Sequence, residues 1–323
     1  MHCSNLYYTE IQAKALRVVA EATGMDRIFF ANCGAEGNEG AMKLARKYGV
    51  SKAPTKYKII SADESFHGRT FDTLAATGHD YYHVGYGPLS PGHVLVPYGD
   101  IKALEAQMDD DVCAVLLEPI QGEGGVHVPS DEYLRQVRAL CDKHDALLIF
   151  DEVQTGIGRT GKLFAYEHYG IEPDIFTLAK ALGNGIPIGA VCAKNEVAQA
   201  FSPGDHGSTF GGNGFACQPG LMVLSIIEKE KLVQNAAEVG GYFKENLQKM
   251  RSPLIIEVRG VGLMIGIELR DGKAKAAQQA LLERGFVTGC VGEKILRLLP
   301  PLILQKSEVD LFTECFASVL KLI

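Results

Sequence analysis

The sequence predicts an α/β protein, with a mostly parallel, doubly wound sheet in a large domain and a smaller α+β domain at the C-terminal end. Three observations predict it. From Arg27 to about Ala200, short continuous apolar runs bounded by turn residues alternate with amphipathic stretches. This is the pattern of strands buried on both faces and joined by helices. Glycine is abundant without any collagen period, 36 residues or roughly 11% against a usual ~7%, which suits tight turns and close backbone approaches. After Ser252 and Pro253 the pattern changes to that of a second, smaller unit.

Taken in order, the chain begins with polar and aromatic residues 1–8 and an amphipathic helix over 11–23. A strand over 27–31 leads through Gly34-Ala35 into a helix over 35–48. Further strands are expected at 57–61, 112–117, 146–150, 174–178 and 188–193, with helices at 100–108 and 131–144. Ser130 is a natural N-cap for the second of these helices. After Pro219 a helical stretch over 220–250 leads to the boundary. Beyond it come extended segments at 254–259 and 263–269, a helix at 272–284, strands at 285–290 and 294–300, and a last helix from Ser307. The expected parts are an N-terminal helical segment (1–23), a large α/β domain (24–250) and a small α+β domain (251–323).

Composition removes several functional classes. A chain of 323 residues buries about three quarters of its unfolded surface and needs no disulfide or metal scaffold. With 46% hydrophobic and 22% charged residues it is globular rather than disordered. A net charge of −7 gives no reason to expect nucleic acid or an anionic membrane as partner. Eight scattered cysteines without a Cys-x-x-Cys pair read as reduced thiols, with no metal expected. The longest apolar runs, such as 146–150, fall far short of the ~18 residues of a membrane span, and no signal-peptide pattern is present. These features predict a soluble cytoplasmic protein.

In an open α/β sheet, ligands bind at the carboxyl ends of the strands. The run 112–117 leads into Glu118 and then Pro119-Ile120-Gln121-Gly122-Glu123-Gly124-Gly125; 146–150 leads into Asp151, Glu152, Val153 and Gln154; 174–178 leads into Ala179-Lys180. Two acids and a lysine thus cap successive strands, either as surface ion pairs or as a site. Pyridoxal phosphate is the cofactor that needs such a set: a lysine for covalent attachment, an acid for the pyridinium nitrogen and an anion cradle for the phosphate. The amide groups at Gly34-Ala35, opening a helix, would form that cradle. A competing motif, Gly156-Ile157-Gly158-Arg159-Thr160-Gly161, fits the spacing of a dinucleotide fingerprint. It is separated from its strand by Asp151–Thr155, whose two carboxylates would repel a pyrophosphate.

The most specific blocks are Phe66-His67-Gly68-Arg69-Thr70, Glu118–Gly125, Asp151–Gly161 with Lys162-Leu163, Phe176-Thr177-Leu178-Ala179-Lys180 and His206–Asn213. Together with Ser4–Glu10 and Leu299-Pro300-Pro301-Leu302, in this order, they span nearly the whole chain. In these blocks the sequence resembles the fold-type I, class III aminotransferases, and within them the acetylornithine branch. The resemblance implies a pyridoxal-phosphate enzyme that moves the terminal amine of N2-acetylornithine to 2-oxoglutarate in arginine biosynthesis. It implies that Lys180 carries the cofactor and moves the substrate proton, that Asp151 faces the ring nitrogen and that Gln154 faces the phenolic oxygen. Phe66 would stack on the ring, Gly34 and Ala35 would bind phosphate, and Thr209 would reach the phosphate of the partner subunit's cofactor in a homodimer.

On the substrate side, the resemblance implies that Arg69 holds the acetylornithine carboxylate with help from Ser208. It implies that Arg297 holds the carboxylate of 2-oxoglutarate or glutamate, and that Glu123 pairs with Arg297 when the other substrate is bound. Arg159 and His67 are expected to be structural. Ornithine, succinyldiaminopimelate or 4-aminobutyrate as donor, or a non-catalytic dimeric homologue, are the alternatives. The sequence departs from the family pattern at Cys33 (usually serine), Gly37 and Gly40 (alanine) and Gly214 (proline), and an N-terminal segment of the family is expected to be missing ahead of Ser4.

Overall fold

The computed structural model describes Cys3 and residues 6–323; Met1, His2, Ser4 and Asn5 lie outside the described residues, and with them the start of the Ser4–Glu10 block. The chain divides into two compact units. The first comprises the described residues up to Pro119, Pro129–Gln154 and Tyr166–Ser225; the second comprises Ile120–Val128, Thr155–Ala165 and Ile226–Ile323. The sequence reading places one boundary after residue 23, where the first unit runs on unbroken, and another near residue 250. In the structure two short loop segments and the helix ahead of that boundary belong to the second unit, an arrangement that no linear change of composition marks.

The first unit is built on seven strands: β1 (Arg27–Ala31), β2 (Lys58–Ala62), β3 (His93–Val96), β4 (Val112–Leu117), β5 (Leu147–Asp151), β6 (Ile175–Leu178) and β7 (Gly189–Ala193). Their order is β1-β7-β6-β5-β4-β2-β3. Every pairing from β6 to β3 is parallel. β7 is antiparallel to both β6 and β1, so β1 runs in the same direction as β6. Every residue of β4, β5 and β6 is buried, as expected for strands covered on both faces, and this is why their sequences are continuous apolar runs. β3 has no counterpart in the sequence reading, because it has four residues, is half-buried and begins with His93.

The helices in chain order are α1 (Glu10–Thr23), α2 (Gly34–Lys52), α3 (Phe71–Ala76), α4 (Asp80–His83), α5 (Ile101–Gln107), α6 (Asp131–Lys143), α7 (Asn195–Ala198), α8 (Gly214–Lys229), α9 (Leu232–Lys249), α10 (Ala274–Leu282) and α11 (Lys306–Val319). Thr9 caps α1 by accepting the Gln12 amide, and Gly24 ends it in the left-handed region at φ 68°. Ser130 caps α6. The stretch read as one helix over 220–250 is two, α8 and α9, broken at Lys231, whose φ of 54° no continuous helix allows. Helix α8 also starts before Pro219, which lies inside it.

α2 lies on the first sheet, with Ala41, Met42, Leu44 and Ala45 in one buried cluster with Ile59, Cys113, Ile149 and Val191. The glycines within it behave differently. A Cβ at Gly37 would lie 3.6 Å from the Ala190 carbonyl oxygen and 3.7 Å from Thr177 Cβ, which is ordinary contact. Gly37→Ala is therefore expected to stabilise the protein by about 0.5–1 kcal/mol through the entropy of the unfolded chain. A raised midpoint of thermal unfolding would bear this out; a lowered one would show that the neighbours leave no room. At Gly40 the added atom would meet His206 Nε2 and Val191 Cγ2 at 3.1 Å, so no gain is expected there.

The second unit carries an antiparallel sheet of β8 (Ile255–Val261), β9 (Met264–Leu269), β10 (Gly289–Val291) and β11 (Ile295–Leu298), in the order β10-β11-β9-β8. Its core joins Phe243 and Leu247 of α9, Ile265 and Ile267 of β9, Leu281 of α10, and Phe312 and Phe316 of α11. Among the described residues, no helix is long and apolar enough to cross a membrane. All eight cysteines are free; burial pushes the Cys113 and Cys141 thiols up to about 12.

Candidate active site

Because β1, β2, β4, β5 and β6 share one direction, their carboxyl ends lie at one edge of the sheet. The segments leaving that edge line a cavity of about 440 Å³, a size typical of small-molecule sites. Its walls include Gly34 and Ala35 after β1, Phe66 and Arg69 after β2, Glu118 after β4, Asp151 and Gln154 from β5 onward, and Lys180 after β6. Six of the seven residues assigned to the cofactor from the sequence are thus brought together, and Arg69 with them. Asp151 is the last residue of β5 rather than the first after it. The carboxylate ends an apolar run without ending the strand.

The Asp151 carboxylate is 4% exposed and accepts three hydrogen bonds. His67 Nδ1 donates to Oδ2 at 2.9 Å, Asn38 Nδ2 donates to the same oxygen at 2.7 Å, and the Val153 amide donates to Oδ1 at 3.0 Å. Because a carboxylate only accepts, Nδ1 is the donor of the His67 bond; the other ring nitrogen of His67, Nε2, is buried without a hydrogen-bond partner among the described residues. Glu118 is also buried and accepts the Phe66 amide at 3.0 Å, tying the ring-bearing loop to the end of β4. Tyr98 donates to the carbonyls of Glu118 and Pro119 at 2.9 and 3.0 Å, and burial pushes its phenol well up.

Lys180 opens a short 3₁₀ turn with φ 45°, a left-handed conformation that costs a non-glycine residue roughly 1–2 kcal/mol. The hydrogen bonds from the Gly183 and Asn184 amides to its carbonyl hold it there. Its side chain is exposed in the cavity, and among the described residues none hydrogen-bonds its ammonium. A strained backbone presenting an unengaged amine is a common mark of a functional position.

The residues fit pyridoxal phosphate. The first amides of α2 have no acceptor within the helix, and Cys33 caps none of them. A Cβ at Gly34 would stand 2.7 Å from Val153 Cγ1, so only glycine brings the backbone this close to the strand ends. An open helix N-terminus, a lysine and a held carboxylate in one cavity are the donor set that the cofactor requires.

Ser208 and Thr209 line a neighbouring cavity of about 400 Å³ in the first unit, with Asn32, Glu36 and His206. Ser208 Oγ accepts Asn32 Nδ2 at 3.0 Å and the Gly211 amide at 3.1 Å. In the second unit Arg297 Nη1 donates to Glu123 Oε1 at 2.7 Å. Arg69 lies over the ring of Tyr82, 4.8 Å from its centre. Arg159 donates to the carbonyls of Leu263 and Pro300, and burial pushes it down to about 10. The Gly156–Gly161 motif opens no helix; it is a run of turns with Ile157, Gly158 and Gly161 at positive φ, which removes the dinucleotide reading.

Sequence reasoning overlooked Asn38 and left His67 as structural, yet both bond Asp151 directly. A signal existed for Asn38. It lies three, four and seven positions before the buried Ala41, Met42 and Ala45, so it is a polar residue on the apolar stripe of its helix.

Residues 1–320 match the family described as Aminotransferase class-III. The acetylornithine aminotransferase of Caldanaerobacter subterraneus subsp. tengcongensis is 51% identical over 313 residues, covering 96% of this chain and 79% of that protein. The acetylornithine aminotransferase of Methanocaldococcus jannaschii is 51% identical over 314 residues, covering 96% and 78%. Among solved structures, the ornithine aminotransferase of Toxoplasma gondii ME49 superposes with a TM-score of 0.96 at 34% identity, covering 99% of this chain and 79% of that one.

Proposed function

The chain belongs to the class-III aminotransferases, and we propose that it transfers the terminal amino group of N2-acetyl-L-ornithine to 2-oxoglutarate, giving N-acetyl-L-glutamate 5-semialdehyde and L-glutamate, a step of arginine biosynthesis. The observation that carries the chemistry is the cavity that gathers Lys180, Asp151 and the start of α2. The donor is supported by 51% identity to two proteins named acetylornithine aminotransferase.

Pyridoxal phosphate, the family's cofactor, supplies when bound an aldehyde that takes up the amino group and a ring that accepts the electron pair released as the substrate C–H bond breaks. Lys180 Nζ would hold the cofactor and, when free, would move the proton at the substrate carbon. Asp151 would meet the ring nitrogen, Gln154 the phenolic oxygen and Phe66 the ring face, and the Gly34 and Ala35 amides would hold the phosphate. Thr209 would reach the phosphate of the partner subunit's cofactor in a homodimer, and the place of the enzyme would be the cytoplasm. Arg69, with Ser208, takes the donor carboxylate. Arg297 would take that of 2-oxoglutarate once Glu123 releases it, since the guanidinium that donates to Glu123 through Nη1 suits either carboxylate.

The test is the visible spectrum of the holoenzyme mixed separately with acetylornithine, ornithine, succinyldiaminopimelate and 4-aminobutyrate. The expected result is fastest bleaching with acetylornithine. Faster bleaching with another donor would overturn the substrate, and a cofactor band unmoved by all four would overturn catalysis in favour of a cofactor-binding homologue.

A further inference from the structure

Asn38 sits four residues into α2 and is 1% exposed. Thr177 Oγ1, on β6, donates to Asn38 Oδ1 at 2.7 Å. Asn38 Nδ2 then spends its two protons on the His67 carbonyl and on Asp151 Oδ2, each at 2.7 Å. The opposite amide orientation would set an oxygen against a carbonyl and a carboxylate, acceptor facing acceptors, so only one orientation is workable. A single buried side chain thereby ties together the helix that begins at the phosphate cradle, the loop carrying Phe66 and Arg69, the end of β5 and the middle of β6.

Pyridoxal phosphate is a rigid ring with its phosphate arm and its ring nitrogen on different sides. The groups that meet those two ends must keep one separation. In this chain Gly34, Ala35 and Asn38 belong to the same helix, with Asn38 about one turn beyond the other two, or roughly 4.5–6 Å along its axis. We propose that Asn38 is a positioning residue for the cofactor: it fixes the Asp151 carboxylate relative to the helix that binds the phosphate, with Thr177 holding its amide in the productive orientation. The proposal rests on the reading of this cavity as a pyridoxal-phosphate site.

The test compares Thr177→Val, Asn38→Ala and Asn38→Asp with Ser61→Ala, which removes a buried hydrogen bond to the Ala76 carbonyl that makes no contact with Asp151. Each holoenzyme is stripped of cofactor, its melting temperature is measured, and pyridoxal phosphate is titrated back while the pH dependence of its visible band is recorded. Losing a hydrogen bond to a buried charge predicts about 10- to 100-fold weaker cofactor binding for Asn38→Ala. Thr177→Val is expected to weaken binding less, and Asn38→Asp most, because it sets a second carboxylate against Asp151. In all three the pH at which the band changes shifts, whereas Ser61→Ala lowers the melting temperature and leaves affinity and band unchanged.

Asn38 variants that bind cofactor as tightly as the unaltered protein, with an unshifted band, would overturn the proposal. So would equal loss of affinity in Ser61→Ala, which would show general loosening. Failure of the unaltered protein to bind pyridoxal phosphate would overturn the site reading and the proposal together.

Discussion

Lys180→Ala is expected to slow amino-group transfer by at least about 10⁴-fold, because one substitution removes both the cofactor's covalent anchor and the group that moves the substrate proton. The fold is expected to survive. The Lys180 side chain is exposed in the cavity and, among the described residues, makes no hydrogen bond that the alanine variant would forfeit, and alanine bears the same left-handed backbone cost at φ 45° as lysine does. The measurement pairs single-turnover kinetics, using acetylornithine and saturating pyridoxal phosphate, with thermal unfolding. Unchanged unfolding with lost turnover separates chemistry from stability. Turnover comparable to the unaltered enzyme would mean that another amine does the work and would remove Lys180 from the mechanism.

Asp151→Asn is expected to cost about 10²–10³-fold in kcat, the scale on which a preorganised charge stabilises a reacting centre. It is also expected to lower stability, for a geometric reason. The carboxylate accepts from donors on both oxygens: Asn38 and His67 on Oδ2 and the Val153 amide on Oδ1. An asparagine oxygen can replace only one of these acceptors, and its NH₂ group must then face a buried donor. The cost of such a mismatch is about 1–3 kcal/mol. Loss of activity together with a lower melting temperature is therefore the expected pair. Full activity in the variant would show that the ring nitrogen needs no carboxylate here.

Much of the large sheet could be read from the sequence because β4, β5 and β6 are buried on both faces and their burial is written as unbroken apolar text. The details that escaped are ones where side-chain polarity misleads. Asp151 completes a strand that hydrophobicity ends one residue early. Lys231 breaks a helix within a charged stretch, Glu228–Lys231, that reads as ordinary helical surface. The site was legible where one residue type announces a chemistry, as a lysine or a carboxylate does at the end of a strand. It was illegible at Asn38 and His67, whose meaning lies in what they touch 113 and 84 residues away. Such contacts exist only once strand order is known.

The division of the chain into units also governs how it is made. Everything in the first unit is synthesised by Ser225, but the second unit draws on Ile120–Val128 and Thr155–Ala165 as well as on the stretch from Ile226 onward. Those two early segments, with Ile120, Val126 and Ile157 among their buried side chains, leave the ribosome well ahead of α9 and β9, elements of the same unit. At about 5–20 residues per second they wait several seconds with apolar surface uncovered. Shielding these two loops during synthesis would therefore act on the yield of folded enzyme rather than on its final stability.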